Sequence, residues 1–231
     1  MTGVVPQGRE SLALTLAAGI ESLGLGLAEV QQQQLLNYMD LIQKWNKVYN
    51  LTAVRDPQEM LTHHLLDSLS AIAPLTRHLK DASKTELAGS TLLDVGSGGG
   101  LPGVVIAICC PNISVTCVDA VSKKAAFVQQ VAASLKLPNL KGVHARVETL
   151  SGPFDVICSR AFASLPDFVT WSNQALDDQG VWMAMKGKLP AEEMAALPTF
   201  ASVFHVEQLQ VPGLDAERCM IWMKKQATLS V

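Results

Sequence analysis

The sequence predicts an α/β protein: a mostly parallel sheet with an antiparallel last strand, preceded by a helical N-terminal segment. Three observations carry this prediction. From residue 91 onward, short apolar runs of strand length alternate with helix-length stretches, the pattern of a parallel sheet covered on both faces. A glycine-rich turn, Gly96-Ser-Gly-Gly-Gly100, joins the first of these strands to the first following helix. Before residue 90 the apolar spacing is helical.

The N-terminal segment starts with an apolar helix, Ser11 to Leu23, that stops near Gly24 and Gly26. From Ala28 to Val48, Leu35, Met39, Ile42 and Trp45 repeat at helical spacing and give one face to be packed on the rest of the protein. A third helix begins at Asp56-Pro57. Asp is a favoured N-cap, Pro suits the first helical position, and Glu59 stands where a capping partner would. This helix runs to Leu69, and the polar stretch Lys80 to Ser90 reads as a connection.

The strands and helices then alternate. Thr91–Val95 is a strand, 101–110 a helix with Pro102 near its start, Ser114–Asp119 a strand and Ser122–Leu135 a helix. Strands are predicted at 140–145, 154–159 and 181–185, and helices at 165–176 and 191–197. The stretches 203–211 and 218–224 are final strands, paired antiparallel across the turn Val211-Pro-Gly213.

Composition sets the outer bounds. At about 150 residues per domain, 231 residues make one large domain or one domain with an extension. Hydrophobic residues at 48% and charged residues at 17% exclude a disordered chain. The mean hydropathy of +0.23 raises the question of a membrane span. The longest apolar runs, such as Val104 to Cys110, fall well short of the ~20 residues that a spanning helix needs, and the first nine residues lack the pattern of a secretory signal. The five cysteines (109, 110, 117, 158 and 219) are odd in number and lack a Cys-x-x-Cys, so they read as small core residues of a cytoplasmic protein. His63 and His64 are adjacent and His78, His144 and His205 isolated, so no metal site is expected. The net charge of −3 points, by itself, toward a small-molecule enzyme rather than a nucleic-acid binder. Net charge describes the whole surface, however, whereas RNA needs only a local basic rim.

The segment from Leu92 to Gly103 is the most informative. It follows a strand and opens a helix, and its glycines let a backbone approach a ligand where a Cβ would clash. Asp119 ends the next strand, where a carboxylate can accept hydrogen bonds from the hydroxyls of an adenosine ribose. A dinucleotide loop reads G-x-G-x-x-G or G-x-G-x-x-A, and Leu101 occupies its sixth position here. Asp94-Val-Gly-Ser-Gly98 instead resembles the S-adenosylmethionine loop of class I methyltransferases. Asp94 would either offset the charge of the sulfonium or order the glycine turn.

The segments Asn50-Leu-Thr52, His63-His-Leu-Leu-Asp-Ser-Leu69, Asp94 to Gly103, Ser159-Arg-Ala-Phe-Ala-Ser164, Lys186-Gly187 and Leu209-Gln-Val-Pro212 stand in that order. Together they resemble the bacterial ribosomal RNA small-subunit methyltransferase G family, also called glucose-inhibited division protein B. The resemblance spans roughly residues 28 to 225. It implies a class I, Rossmann-like methyltransferase domain over residues 91–231 with a helical N-terminal extension over residues 1–90. It also implies S-adenosyl-L-methionine as cofactor and methyl transfer to N7 of one guanine in 16S rRNA, free or in the small ribosomal subunit. On the same ground Gly96, Gly98 and Leu101 would lie along the cofactor, Asp119 would face its ribose, and Val147 and Glu148 would face its adenine. Arg160 matches an arginine of the cofactor site. Gly99 stands where some relatives carry Pro.

Guanine N7 has an in-plane lone pair and no proton, so an essential general base is not expected. Neither an Asn-Pro-Pro-Tyr-like segment nor a Pro-Cys pair is present. Alignment and local charge would carry catalysis. Arg160 and Lys186 are the candidate catalytic residues, holding the guanine O6 or a phosphate while leaving N7 free. Lys123, Lys124, Lys188 and Arg218 extend a rim of phosphate contacts or are ordinary solvated charges. Phe162 is either a stacking platform or a core residue. Two further readings stand beside this one: a nicotinamide-dependent oxidoreductase using the same loop and Asp119, and a non-catalytic RNA-binding assembly factor. Nothing in the sequence demands more than a monomer.

Overall fold

The computed structural model describes residues 7–83 and 89–226. The N-terminal part holds α1 (Gln7–Ser22), α2 (Glu29–Tyr49) and α3 (Pro57–Met60). A π-helical turn (Leu61–Leu66) leads from α3 into α4 (Asp67–Leu69), and α5 (Ile72–Ser83) follows. Asp56 caps α3 as expected: its Oδ1 accepts the N–H groups of Gln58 and Glu59 at 2.9 and 3.0 Å. The return bond expected from Glu59 is not made among the described residues.

The second part alternates β1 (Thr91–Val95), α6 (Gly103–Cys109), β2 (Ser114–Asp119), α7 (Ser122–Leu135) and β3 (Leu140–His144). A 3-10 turn (Val147–Thr149) leads to β4 (Phe154–Arg160), α8 (Leu165–Ser172), β5 (Leu176–Lys186), α9 (Ala191–Ala195), β6 (Ala201–Gln208) and β7 (Cys219–Lys225). The seven strands form one sheet in the order β3-β2-β1-β4-β5-β7-β6, with β1 to β5 parallel and β7 antiparallel to both neighbours.

Several elements differ in their bounds from expectation. The stretch 80–83, read as a connection, completes α5, whose apolar face of Ile72, Leu75 and Leu79 is buried. Residues 84–88 of that expected connection lie outside the described residues. Likewise, α8 stops at Ser172 and β5 begins at Leu176. The polar run Asp177-Asp-Gln-Gly180 reads as a loop, yet Leu176 pairs with Phe154 across a register shift before regular pairing resumes at Val156 and Val181.

Successive strand residues point to opposite faces, and the sheet separates two cores accordingly. Leu92, Val156 and Cys158 face α6 and α7, and this core also takes in Leu35, Met39 and Ile42 of α2 and Leu61, Leu65 and Leu69. Leu93, Ile157 and Trp182 face the other way, toward Phe168 of α8. The N-terminal helices therefore share a core with one face of the sheet.

Candidate active site

Strand order reverses around β1, with β2 on one side and β4 on the other. Open α/β sheets bind ligands in the crevice that this reversal leaves beyond the carboxyl ends of the strands. The loop after β1 forms the floor of that crevice. Gly96, Gly98 and Gly100 all have positive φ, at 64°, 58° and 88°, backbone that side chains with a Cβ rarely adopt. A Cβ at Gly96 would stand 2.1 Å from the ring of Phe162. This glycine lets two segments close against each other.

Three groups hold the loop. Asp94 is fully buried, and its Oδ2 accepts the N–H of Gly103 at 2.8 Å. Burial pushes its carboxyl up to about 7, against the pull of the Gly103 N–H and of Arg160. The thiols of Cys117 and Cys158, its register partners on β2 and β4, are themselves raised by burial and are unreactive core groups. Asp119 accepts the N–H of Gly98 at 2.9 Å through Oδ2 and that of Val121 at 2.8 Å through Oδ1. Tyr38 of α2, fully buried, donates its hydroxyl to the carbonyl of Gly99 at 2.5 Å.

Two cavities open over the loop and share Gly96 and Ala161. One, about 450 Å³, is lined by Asp119, Lys124, Val147, Glu148, Phe162 and Trp171, among others. The other, about 570 Å³, is lined by Gly98, Leu101, Arg160, Lys186 and Arg218 together with Thr52, His63, His64 and Asp67 from the N-terminal part. The crevice thus brings together Gly96, Gly98, Leu101, Asp119, Val147, Glu148, Arg160 and Lys186. Asp94 lies beneath it and lines neither cavity. Phe162 has its ring centroid 5.8 Å from that of Trp171, edge-on, and packs at the border of the second core. Ala161, before it, takes a positive φ of 53°, and such strained backbone concentrates at functional sites.

A charge cluster walls the larger cavity. Asp67, 4% exposed, is gripped by two arginines: Arg160 Nη1 donates to Oδ2 at 2.7 Å, and Arg218 Nε donates to Oδ1 at 2.8 Å. Arg160 Nη1 also donates to the carbonyl of His63 at 2.8 Å. The π turn before Asp67 is the local device that brings this carbonyl and carboxylate to β4, and such turns recur at functional sites. Lys186 lines the same cavity, its ammonium donating to Glu193 Oε2 at 2.8 Å and to the carbonyl of Ala163 at 3.0 Å. Of the other basic residues, Lys124 stands 3.8 Å from Asp119, and Lys123 lies over the ring of Tyr49 at 5.2 Å.

Sequence reasoning did not assign roles to Asp67, Thr52 or His64. Their signal was present in the segments His63–Leu69 and Asn50–Thr52, but helical periodicity alone does not say that a polar residue faces inward. Among the described residues, no group of three or more His, Cys, Asp or Glu side chains is placed to hold a metal ion, and no helix is long and apolar enough to cross a membrane.

The sheet, its reversal at β1, the glycine cradle and the terminal Asp119 define a class I, S-adenosylmethionine-dependent methyltransferase. The fold is shared with the crystal structures of TrmN from Thermus thermophilus (TM-score 0.53, 17% identity, 72% of this chain and 53% of that one) and of an S-adenosylmethionine-dependent methyltransferase from Aquifex aeolicus (TM-score 0.51, 16% identity, 73% and 98%). The family model GidB, rRNA small subunit methyltransferase G, matches residues 31–221. The chain is 68% identical over 209 residues to the ribosomal RNA small subunit methyltransferase G of a Polaromonas species, covering 90% of this chain and 92% of that one. The protein of the same name from Paracidovorax citrulli is 64% identical over 222 residues, at 93% and 90% coverage. The chain belongs to the rRNA small subunit methyltransferase G family and is an S-adenosylmethionine-dependent rRNA methyltransferase. Neither the oxidoreductase reading nor the non-catalytic one is favoured by this membership.

Proposed function

We propose that the protein methylates N7 of a guanine in 16S rRNA, using a domain over residues 91–231 whose acceptor wall comes from the helical segment 1–90. The smaller cavity fits the adenosine half of the cofactor. Asp119 lies at the end of β2 for the ribose, and Val147 and Glu148 form the turn beside it for the adenine. The larger cavity, beside Gly96, Gly98 and Leu101, takes the amino-acid half and the target base, with Arg160 at its wall. Bound there, S-adenosylmethionine supplies a methyl group activated by a sulfonium.

The observation that carries the N7 reading is the state of the acidic and basic groups in the acceptor half. Asp67, the carboxylate that lines it among the described residues, has both oxygens engaged by arginines. His64 is held below its ordinary value, first by burial and then by Arg160, which makes it a poor proton acceptor. A nucleophile without a proton to lose suits such a wall. Arg160 and Arg218 supply fixed positive charge for phosphate or O6. Lys186 holds the chain between β4 and α8 through the Ala163 carbonyl. The protein's own contribution is alignment of a lone pair in a preformed crevice.

The test is methyl transfer from labelled S-adenosylmethionine to small ribosomal subunits and to deproteinised 16S rRNA, followed by mass mapping of the modified nucleotide. Incorporation as 7-methylguanine is the expected result. Label on another atom, or on a small metabolite alone, would overturn the reading. Asp119→Ala should raise the Kd for S-adenosylhomocysteine by at least roughly 10-fold, as for a lost charge-assisted hydrogen bond.

A further inference from the structure

The Asn50-Leu-Thr52 and His63-His-Leu-Leu-Asp segments meet in a buried polar relay that the cofactor half does not use. Asn46 of α2, 4% exposed, accepts the N–H of Thr52 at 3.0 Å through Oδ1. Thr52 Oγ1 accepts the N–H of Val54 at 3.1 Å and stands 2.6 Å from His64 Nε2. The threonine hydroxyl has one proton to give and Nε2 stands within its reach. When it donates there, the ring carries its own proton on Nδ1. His64 is 8% exposed and lines the larger cavity, and its Nδ1 is buried without a hydrogen-bond partner. A buried donor without a partner is disfavoured unless a ligand or water completes it. The cavity around it also carries Thr52, Arg160, Arg218 and Gly187.

Building on the guanine reading above, we propose that the Thr52–His64 pair is the element that selects guanine, with the Nδ1–H of His64 donating to the base's O6. A donor at this point favours guanine, whose position 6 bears a carbonyl oxygen. It disfavours adenine, whose position 6 bears an amino group. The neutral ring adds no charge beside the base, so it does not oppose the positive charge that methylated N7 acquires. The pair thereby separates two tasks: charge is held by Arg160 and Arg218, and base identity by a neutral hydrogen bond.

The experiment uses the full chain and a small-subunit rRNA substrate carrying either guanine or 2-aminopurine at the mapped acceptor. 2-Aminopurine keeps N7 and the 2-amino group and lacks O6. For the wild type, 2-aminopurine should lower kcat/KM by about 10-fold or more. His64→Leu should lower kcat/KM on the guanine substrate by a similar factor and show no further loss on 2-aminopurine. His64→Gln, which retains an N–H donor, should recover part of the loss. The affinity of each variant for S-adenosylhomocysteine should stay within about 2-fold of wild type, because the pair serves the base.

Independent, additive losses from the substitution and the base analogue would overturn the proposal, as would a parallel fall in S-adenosylhomocysteine affinity. If His64→Leu does not fold, Thr52→Val carries the same comparison, since it removes the hydroxyl that sets the tautomer. Failure of the wild type to methylate the guanine substrate at all would instead overturn the parent reading.

Discussion

Asp94 shows how burial sets the state of a single residue. From sequence, a carboxylate two positions before the first loop glycine suits either a sulfonium or the glycine turn. In the structure the side chain has no exposed surface and holds the Gly103 N–H at the start of α6, the geometry of a group that orders the turn. Its carboxyl is raised from 3.8 to about 7, with burial the largest cause. The folded protein therefore keeps a proton that the unfolded chain has already lost between about pH 4 and 7. Stability from this group is greatest below that window and declines as pH rises through it, because ionising a buried acid is unfavourable. Asp94→Asn removes the titration and keeps an acceptor for Gly103. The stability of Asp94→Asn relative to wild type should therefore rise with pH from about 4 to 7 and then level off, as measured by urea denaturation at several pH values. A difference independent of pH would mean that the carboxylate does not titrate in this window. Asp67 teaches a different lesson at this scale. Its partners Arg160 and Arg218 lie 93 and 151 positions away in sequence. The segment His63–Leu69 marks the residue in the sequence, but no local pattern names partners so distant, so its role emerges only in the folded chain.

Elements explain why the loop keeps its shape. Glycines permit the positive φ values of the cradle but do not enforce them, since glycine visits both signs of φ freely. Enforcement comes from neighbouring elements: Asp119 at the end of β2 from one side, and Tyr38 of α2 from the other. Tyr38 is also stacked near Phe127 of α7, at 6.4 Å between centroids, which fixes the ring that carries the hydroxyl. Tyr38→Phe keeps this packing and removes one hydrogen bond, so a stability loss of about 0.5–1.5 kcal/mol is expected. A looser loop should raise the Kd for S-adenosylhomocysteine roughly 3- to 10-fold and leave kcat at saturating cofactor near the wild-type value. Calorimetric titration together with steady-state kinetics checks both. A lost kcat with unchanged Kd would mean that Tyr38 acts elsewhere. The strands β1 to β4, the helix after each glycine or proline signal and the antiparallel end of the sheet were legible because period and punctuation agree along the chain. The end of α5 and the start of β5 were not. Both run through polar stretches whose structure is set by tertiary contacts, such as the pairing of Leu176 with Phe154.

At the scale of the whole molecule, the N-terminal helices share one hydrophobic core with a face of the sheet. Its glutamines finish the helices of the sheet layer. Gln31 Nε2 donates to the carbonyls of Ile108 and Cys109 at 2.8 and 3.2 Å, and Gln34 Nε2 donates to that of Leu135 at 3.0 Å. These are last-turn carbonyls of α6 and α7, the groups that a helix end leaves without internal partners. The sequence run Gln31-Gln-Gln-Gln34 looks like featureless polar surface and gives no hint of this, because the acceptors belong to elements more than seventy residues away. Beneath the glutamines, Leu35, Leu36, Met39 and Ile42 of α2 are buried in the core shared with Val104, Phe127 and Val131. Each such side chain contributes about 1.5–3 kcal/mol on burial, so these four alone rival the roughly 5–15 kcal/mol that keeps a domain folded. A fragment starting at Thr91 would also lose Asp67, the partner of both Arg160 and Arg218. It should show no cooperative urea transition and no sharp near-ultraviolet circular dichroism, whereas the full chain should show one transition. A fragment that unfolds cooperatively and binds S-adenosylhomocysteine with the affinity of the full chain would make the helical segment an independent addition. Gln31→Ala with Gln34→Ala should destabilise the full chain by about 0.5–1.5 kcal/mol for each bond lost without changing the number of transitions. That pair of results would locate the cooperativity in the shared core and assign to the glutamines the finishing of α6 and α7.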